Sequence, residues 1–125
     1  MLILIIEFKD NYVNLNTKNI VYMKILVTGG CGYIGTPLIQ SLLKQNHKIT
    51  CIDIQWFGCY LQKHKNLKIF KKDIRDLEDK YFKNIDTVIH LANIANDPAV
   101  KLLPTLSWEV NVLASYKLIN QCVNN

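Results

Sequence analysis

A chain of 125 residues has room for one domain. Half of its residues are hydrophobic and a fifth are charged, which admits a real core and excludes a disordered or collagen-like chain. The net charge of +5 comes from scattered lysines with Arg75 as the sole arginine, a footprint that points away from a nucleic-acid partner.

The apolar run Leu2–Ile6 is far below the ~18 residues that span a bilayer, and it lacks the flanks of a secretory signal. A polar, Asn-rich stretch follows, and Met23 then opens a different pattern. Residues 1–22 therefore read as an N-terminal extension from a mis-assigned start, packing loosely; the competing reading is an added strand or tether. Residues 23–125 read as one incomplete domain.

From Met23 onward strands alternate with helices. Lys24–Thr28 is a short apolar strand ending in glycines. Ile34–Gln45 is a helix with Ile34, Leu38, Ile39, Leu42 and Leu43 on one face, and Pro37 falls in its tolerant first turns. Lys48–Ile54 is a second strand, Trp56–Lys65 is irregular or briefly helical, and Leu67–Lys71 is a third strand. Leu77–Phe82 is expected to be a short helix. Thr87–Leu91 is a fourth strand, apolar enough to be buried on both faces. Ile94–Pro104 reads as a surface loop, and Ser107–Val123 as a final helix with Ser107 as N-cap and Glu109 in its first turn. Strands joined by long crossovers imply an α/β fold with a parallel sheet.

The strongest chemical signal is Thr28-Gly29-Gly30-Cys31-Gly32-Tyr33-Ile34-Gly35, which follows a strand and opens a helix. In this pattern the first glycine, Gly29, permits the tight turn. The second, Gly32, lets backbone approach a pyrophosphate, and the third, Gly35, lets helix and strand pack closely. The helix N-terminus offers free N–H groups to the phosphates. Asp53 ends the second strand about 20 residues further on, where a carboxylate accepts hydrogen bonds from ribose hydroxyls and repels a 2′-phosphate, favouring NAD over NADP. Without the loop, Asp53 is only a solvated strand-end carboxylate. No Gly-Lys-Ser/Thr follows the glycines, so a nucleoside-triphosphatase loop is excluded.

The remaining candidates are weaker. Cys31, Cys51, Cys59 and Cys122 have no Cys-x-x-Cys spacing, and they suit free thiols in a reducing cytoplasm better than zinc or a disulfide framework. His90 lies in a buried-type strand and reads as structural, whereas His47 and His64 sit in polar, turn-like contexts and read as solvated. No His/Cys cluster indicates a metal.

Several segments together resemble the extended short-chain dehydrogenase/reductase family, the nucleotide-sugar epimerases and dehydratases. They are ILVTGGCGYIG, IDIQWFG, KKDIRD, DTVIHLAN and WEVNVLAS, in that order. The resemblance implies a partial Rossmann fold, the first four strands of a doubly wound parallel sheet with their helices. It implies that Gly29, Gly32, Tyr33, Ile34 and Gly35 cradle the pyrophosphate of NAD and that Asp53 holds the adenosine ribose. Asp73 and Ile74 would flank adenine, Leu91 and Ala92 would line the nicotinamide side, and Asn111 would support the active site from behind. Asn93 departs from the family's usual Ala, which leaves the nicotinamide-side wall open.

The family's chemistry needs a Tyr and a Lys four positions later, and none of the six tyrosines here has that partner. No catalytic residue is therefore assigned, and the nucleotide sugar is expected as a partner only of a full-length form. The expected reading is the NAD-binding portion of an epimerase/dehydratase; the alternative is a non-catalytic NAD-binding or partner-assembled module. Because Thr87–Leu91 would then be an edge strand, the chain is expected to be marginally stable, to self-associate or to need a partner.

Overall fold

A computed structural model describes residues 4–7, 22–95 and 97–125. Five strands form one sheet: β1 (Leu4–Glu7), β2 (Lys24–Thr28), β3 (Lys48–Asp53), β4 (Leu67–Lys71) and β5 (Thr87–His90). Their spatial order is β1-β5-β2-β3-β4. β2 pairs in parallel with β3 and with β5, and β3 in parallel with β4. The four strands read from the sequence after Met23 are thus present in the order expected of a doubly wound sheet.

Alternate side chains of the central strands point to opposite faces, and both faces are covered. Ile25 and Val27 join Ile49, Cys51 and Ile89 on one face, packed against Ile39 and Leu43 of helix α1 (Gly35–Lys44). Leu26, Ile52 and Val88 face the other way and meet Phe82, Val110, Ala114 and Leu118. These last three residues lie on the C-terminal helical region. That region runs as α2 (Asp97–Leu102), α3 (Pro104–Trp108), a π-helical segment (Glu109–Ala114) and α4 (Ser115–Val123).

Four expectations change. Thr87–His90 is not an edge: β1 pairs with it antiparallel, with Ile5 opposite Ile89 and Ile6 opposite Val88. An open edge of unpaired backbone groups is a template for any apolar, β-prone segment, and Leu4–Glu7 is one. The rest of the 1–21 stretch lies outside the described residues. Second, Leu77–Phe82 is not a helix. Two 3₁₀ turns, Ile74–Asp76 and Asp79–Tyr81, take its place, the first held by the Asp73 carboxylate accepting from Arg75 N–H.

Third, the final helix starts earlier than Ser107. Pro104 occupies the first position of α3, and Ser107 is buried inside it with its hydroxyl donating to the Leu103 carbonyl. Ile94–Pro104 accordingly contains α2 and the start of α3 rather than only loop; within it, Asn96 is outside the described residues. Fourth, His47 is half-buried and its Nδ1 accepts from the Met23 N–H at 3.1 Å, tying the foot of β2 to the turn before β3.

Candidate functional site

The carboxyl ends of the parallel strands converge on one cavity of about 440 Å³. The β2–α1 loop forms one wall. Gly29 has φ +72°, and a Cβ there would lie 2.5 Å from the Ala92 nitrogen, so glycine is demanded by the fold. Gly35 is similar, since its Cβ would stand 2.5 Å from the Gly29 oxygen. Gly32 is different. It is exposed, its φ needs no glycine, and a Cβ would meet only the Gly29 oxygen at 3.3 Å. Nothing in the fold requires a glycine at position 32, yet its bare face borders the cavity. A side chain there would narrow the cavity at the point where bare backbone now permits close approach.

Helix α1 begins at this loop with no side chain capping its first turn. Thr36 N–H donates to the Gly32 carbonyl at 3.0 Å and Pro37 has no N–H, so what this end of the helix turns toward the cavity is chiefly the positive end of its dipole. Opposite stands Asp53, at the end of β3. Its Oδ2 accepts from Cys31 N–H at 2.9 Å and its Oδ1 from Gln55 N–H at 2.6 Å. Two backbone donors fix the carboxylate's orientation and leave lone pairs for hydroxyl groups of a ligand.

All ten residues assigned from the sequence border this cavity: Gly29, Gly32, Tyr33, Ile34 and Gly35 on the loop, Asp53 on β3, Asp73 and Ile74 after β4, Leu91 and Ala92 after β5. Asp73 is more constrained than the sequence shows. Arg75 grips its carboxylate through Nε and a terminal nitrogen at 2.7–3.1 Å, and also binds Glu109 at 2.7 Å. The guanidinium holds the Asp73 carboxyl below its ordinary range, and the Arg75 bridge ties the post-β4 turn to the π segment.

Sequence reasoning missed part of the wall. Trp56, Phe57 and Gly58, at the start of the stretch expected to be irregular, border the cavity, as do Lys72 and Val110. Two aromatics three and four positions after Asp53 were the available signal.

Beside the cavity the backbone at Ile94 is clamped by Asn111, whose Oδ1 accepts from Ile94 N–H at 2.8 Å and whose Nδ2 donates to its carbonyl at 3.0 Å. Asn111 lies in the π segment, where the widened turn displaces side chains from α-helical register. His90 is buried between Thr28 Oγ1 and Ser115 Oγ, the latter 2.9 Å from its Nε2. Burial lowers its pKa, so the imidazole is neutral and structural.

A sequence model of the NAD dependent epimerase/dehydratase family matches residues 25–125. The chain belongs to this family. The dTDP-D-glucose 4,6-dehydratase of Dictyostelium discoideum is 37% identical over 123 residues, covering 87% of this chain and 28% of that protein. The UDP-glucose 4-epimerase of Halalkalibacterium halodurans is 35% identical over 108 residues, 82% of this chain and 32% of that protein. Among solved structures, the Thermus thermophilus UDP-glucose 4-epimerase in complex with NAD superposes with a TM-score of 0.69 at 30% identity, covering 80% of this chain and 33% of that one. MoeE5 in complex with UDP-glucuronic acid and NAD gives 0.72 at 28% identity, covering 81% of this chain and 33% of that one. The chain spans between 15% and 32% of the length of curated relatives it matches. No described helix is long and apolar enough to cross a membrane.

Proposed function

We propose that this chain is the NAD-binding portion of a nucleotide-sugar epimerase/dehydratase-like oxidoreductase. The observation that carries the reading is the pairing of an open Gly32 face with the twice-anchored Asp53 carboxylate across one cavity. The β2–α1 loop and the α1 N-terminus take the pyrophosphate, and Asp53 takes the adenosine ribose hydroxyls. Ile74 packs on the adenine and Asp73 borders it. Leu91 and Ala92 face the nicotinamide side. When bound, the dinucleotide supplies hydride acceptance and return; the chain's residues supply its seat. The nucleotide sugar belongs to a full-length form carrying the Tyr and Lys pair, and we place the protein in a reducing cytoplasm. Calorimetric titration with NAD and with NADP tests this: NAD binds and NADP binds more weakly, and no heat with millimolar NAD overturns it.

One observation favours a second reading, a non-catalytic module that binds NAD. β1 covers the edge of β5, so the described sheet has an antiparallel closing strand there. The two readings separate on turnover of UDP- and dTDP-sugars, which the module lacks in any assembly. Self-association also belongs to the proposal. Trp108, Val112, Tyr116, Ile119 and Val123 are all exposed and recur at spacings of three and four along α3, the π segment and α4, the seam by which helices pair.

A further inference from the structure

Three of the four cysteines meet beneath the phosphate loop. Cys31 lies in the loop and is buried, Cys51 lies inside β3 and is fully buried, and Cys59 directly follows Gly58 and is half-buried. All are free thiols. The Cys31 and Cys51 sulfurs are 4.0 Å apart. The Cys59 thiol contacts that of Cys31 and packs on the same apolar cluster. Cys122 belongs to the other face of the sheet.

This cluster is mechanically joined to the ligand cavity. A Cβ on Gly30 would come within 2.5 Å of Cys51 Sγ, so the loop already rests on the thiols. Cys31 N–H is one of the two donors that orient Asp53. Gly29 and Gly35 leave the loop no slack, because each is packed against backbone. A covalent tie on Cys31 is therefore felt at both the phosphate seat and the ribose carboxylate. Burial pushes the Cys51 thiol up to about 12 and Cys31 further still, so neither starts an exchange reaction. Cys59, the most accessible of the three, is the one that does.

We propose that Cys31, Cys51 and Cys59 form a thiol–disulfide exchange site that a small oxidised disulfide of the glutathione type closes, and that its closure weakens dinucleotide binding. The Cys59 sulfur gives up its proton and attacks one sulfur of the small disulfide. That S–S bond breaks, and one small thiol leaves with a proton. The Cys31 sulfur then attacks the mixed disulfide at Cys59, and a second small thiol leaves with the Cys31 proton. Two protein thiols are oxidised by two electrons and one small disulfide is reduced to two thiols. Cys51, beside Cys31, can take over the bond by exchange and release Cys59. The effect on the dinucleotide rests on the function proposed above; the disulfide itself does not.

The test treats the full chain with glutathione disulfide, blocks residual thiols by alkylation, maps the bonds by mass spectrometry, and titrates NAD before and after. The expected product has lost two hydrogens, contains Cys31 bonded to Cys59 or Cys51, and leaves Cys122 alkylated. NAD affinity falls about tenfold or more and recovers with dithiothreitol, and by reciprocity NAD disfavours the disulfide to the same extent. Cys59→Ala and Cys59→Ser each slow disulfide formation at Cys31 while binding NAD as the parent does. A mixed disulfide that stays on Cys59, a bond to Cys122, or a mapped Cys31 disulfide with undiminished NAD binding each overturns the proposal. A reduced protein that does not bind NAD refutes the cofactor reading and with it the gating, while the mapped bond still decides the exchange site.

Discussion

Replacing Gly32 with alanine separates binding from folding. A Cβ at position 32 meets one oxygen, Gly29 O at 3.3 Å, and otherwise open space. The tight contact opposes a gain of about 0.4–1 kcal/mol that Gly→Ala gives by restricting the unfolded chain, so the net stability change is within about 0.5 kcal/mol. Gly35→Ala is the contrast: its Cβ would stand 2.5, 2.6 and 2.7 Å from Gly29 and Gly30 backbone atoms, which cannot rotate away. Overpacking of this kind costs about 1–3 kcal/mol. For a chain of this size that lowers Tm by roughly 3–5 °C per kcal/mol. The Gly32→Ala methyl stands where the pyrophosphate is proposed to approach, and a loss of at least ~1.4 kcal/mol weakens NAD tenfold. Thermal melts and NAD calorimetry on both variants, with the parent chain, read the two effects. A Gly32→Ala protein that binds NAD like the parent refutes the assignment of that face. One that melts as low as Gly35→Ala refutes the sorting of the glycines.

Asp53→Asn weakens NAD and narrows its preference over NADP, because the repelling charge is gone while the backbone donors persist; paired titrations check this. Ile6→Asp places a carboxylate where β1 packs against the core and lowers stability by roughly 1–2 kcal/mol, with increased aggregation by light scattering as the β5 edge opens. His90 has a pKa depressed by burial, so it binds a proton less readily folded than unfolded. Its contribution to stability is full above about pH 6.5 and is lost as pH falls from there through the depressed value, a slope that urea midpoints reveal and His90→Asn removes. Tyr116→Glu on the exposed seam reduces self-association in sedimentation without altering NAD affinity.

Much of the site was legible because its parts are local. The strand, the glycines and the helix start are contiguous, and Asp53 falls at the end of the next strand. A parallel sheet then brings strand ends together without further information. What escaped the sequence depends on partners distant in the chain. Ser107 reads as a helix cap from its neighbours, but Pro104 starts the helix earlier and Ser107 bonds back to Leu103. Asp73 reads as a neighbour of adenine, but Arg75 grips its carboxylate while also reaching Glu109. The aromatics Trp56 and Phe57 follow no periodicity, and only the fold brings them to the cavity wall. The π segment likewise has no sequence period of its own.

The edge of β5 is the most instructive of these. An interior strand with the apolar sequence of Thr87–His90 needs a partner on each side, and β2 supplies one. In a doubly wound sheet the other side belongs to a later strand running parallel. Here Leu4–Glu7 holds that position from the opposite end of the chain, running antiparallel. A four-residue antiparallel pair satisfies backbone groups as well as a parallel one does, but it brings no crossover helix with it. It therefore covers the edge of the sheet and leaves the outer face of α3, the π segment and α4 bare, where Trp108, Val112, Tyr116, Ile119 and Val123 remain exposed. Edge closure and face closure are thus separate requirements, and the described chain meets the first without the second. Disrupting β1 should accordingly promote aggregation through the sheet edge, while altering the helical seam should change only a specific association. The two kinds of assembly should respond independently when Ile6→Asp and Tyr116→Glu are combined.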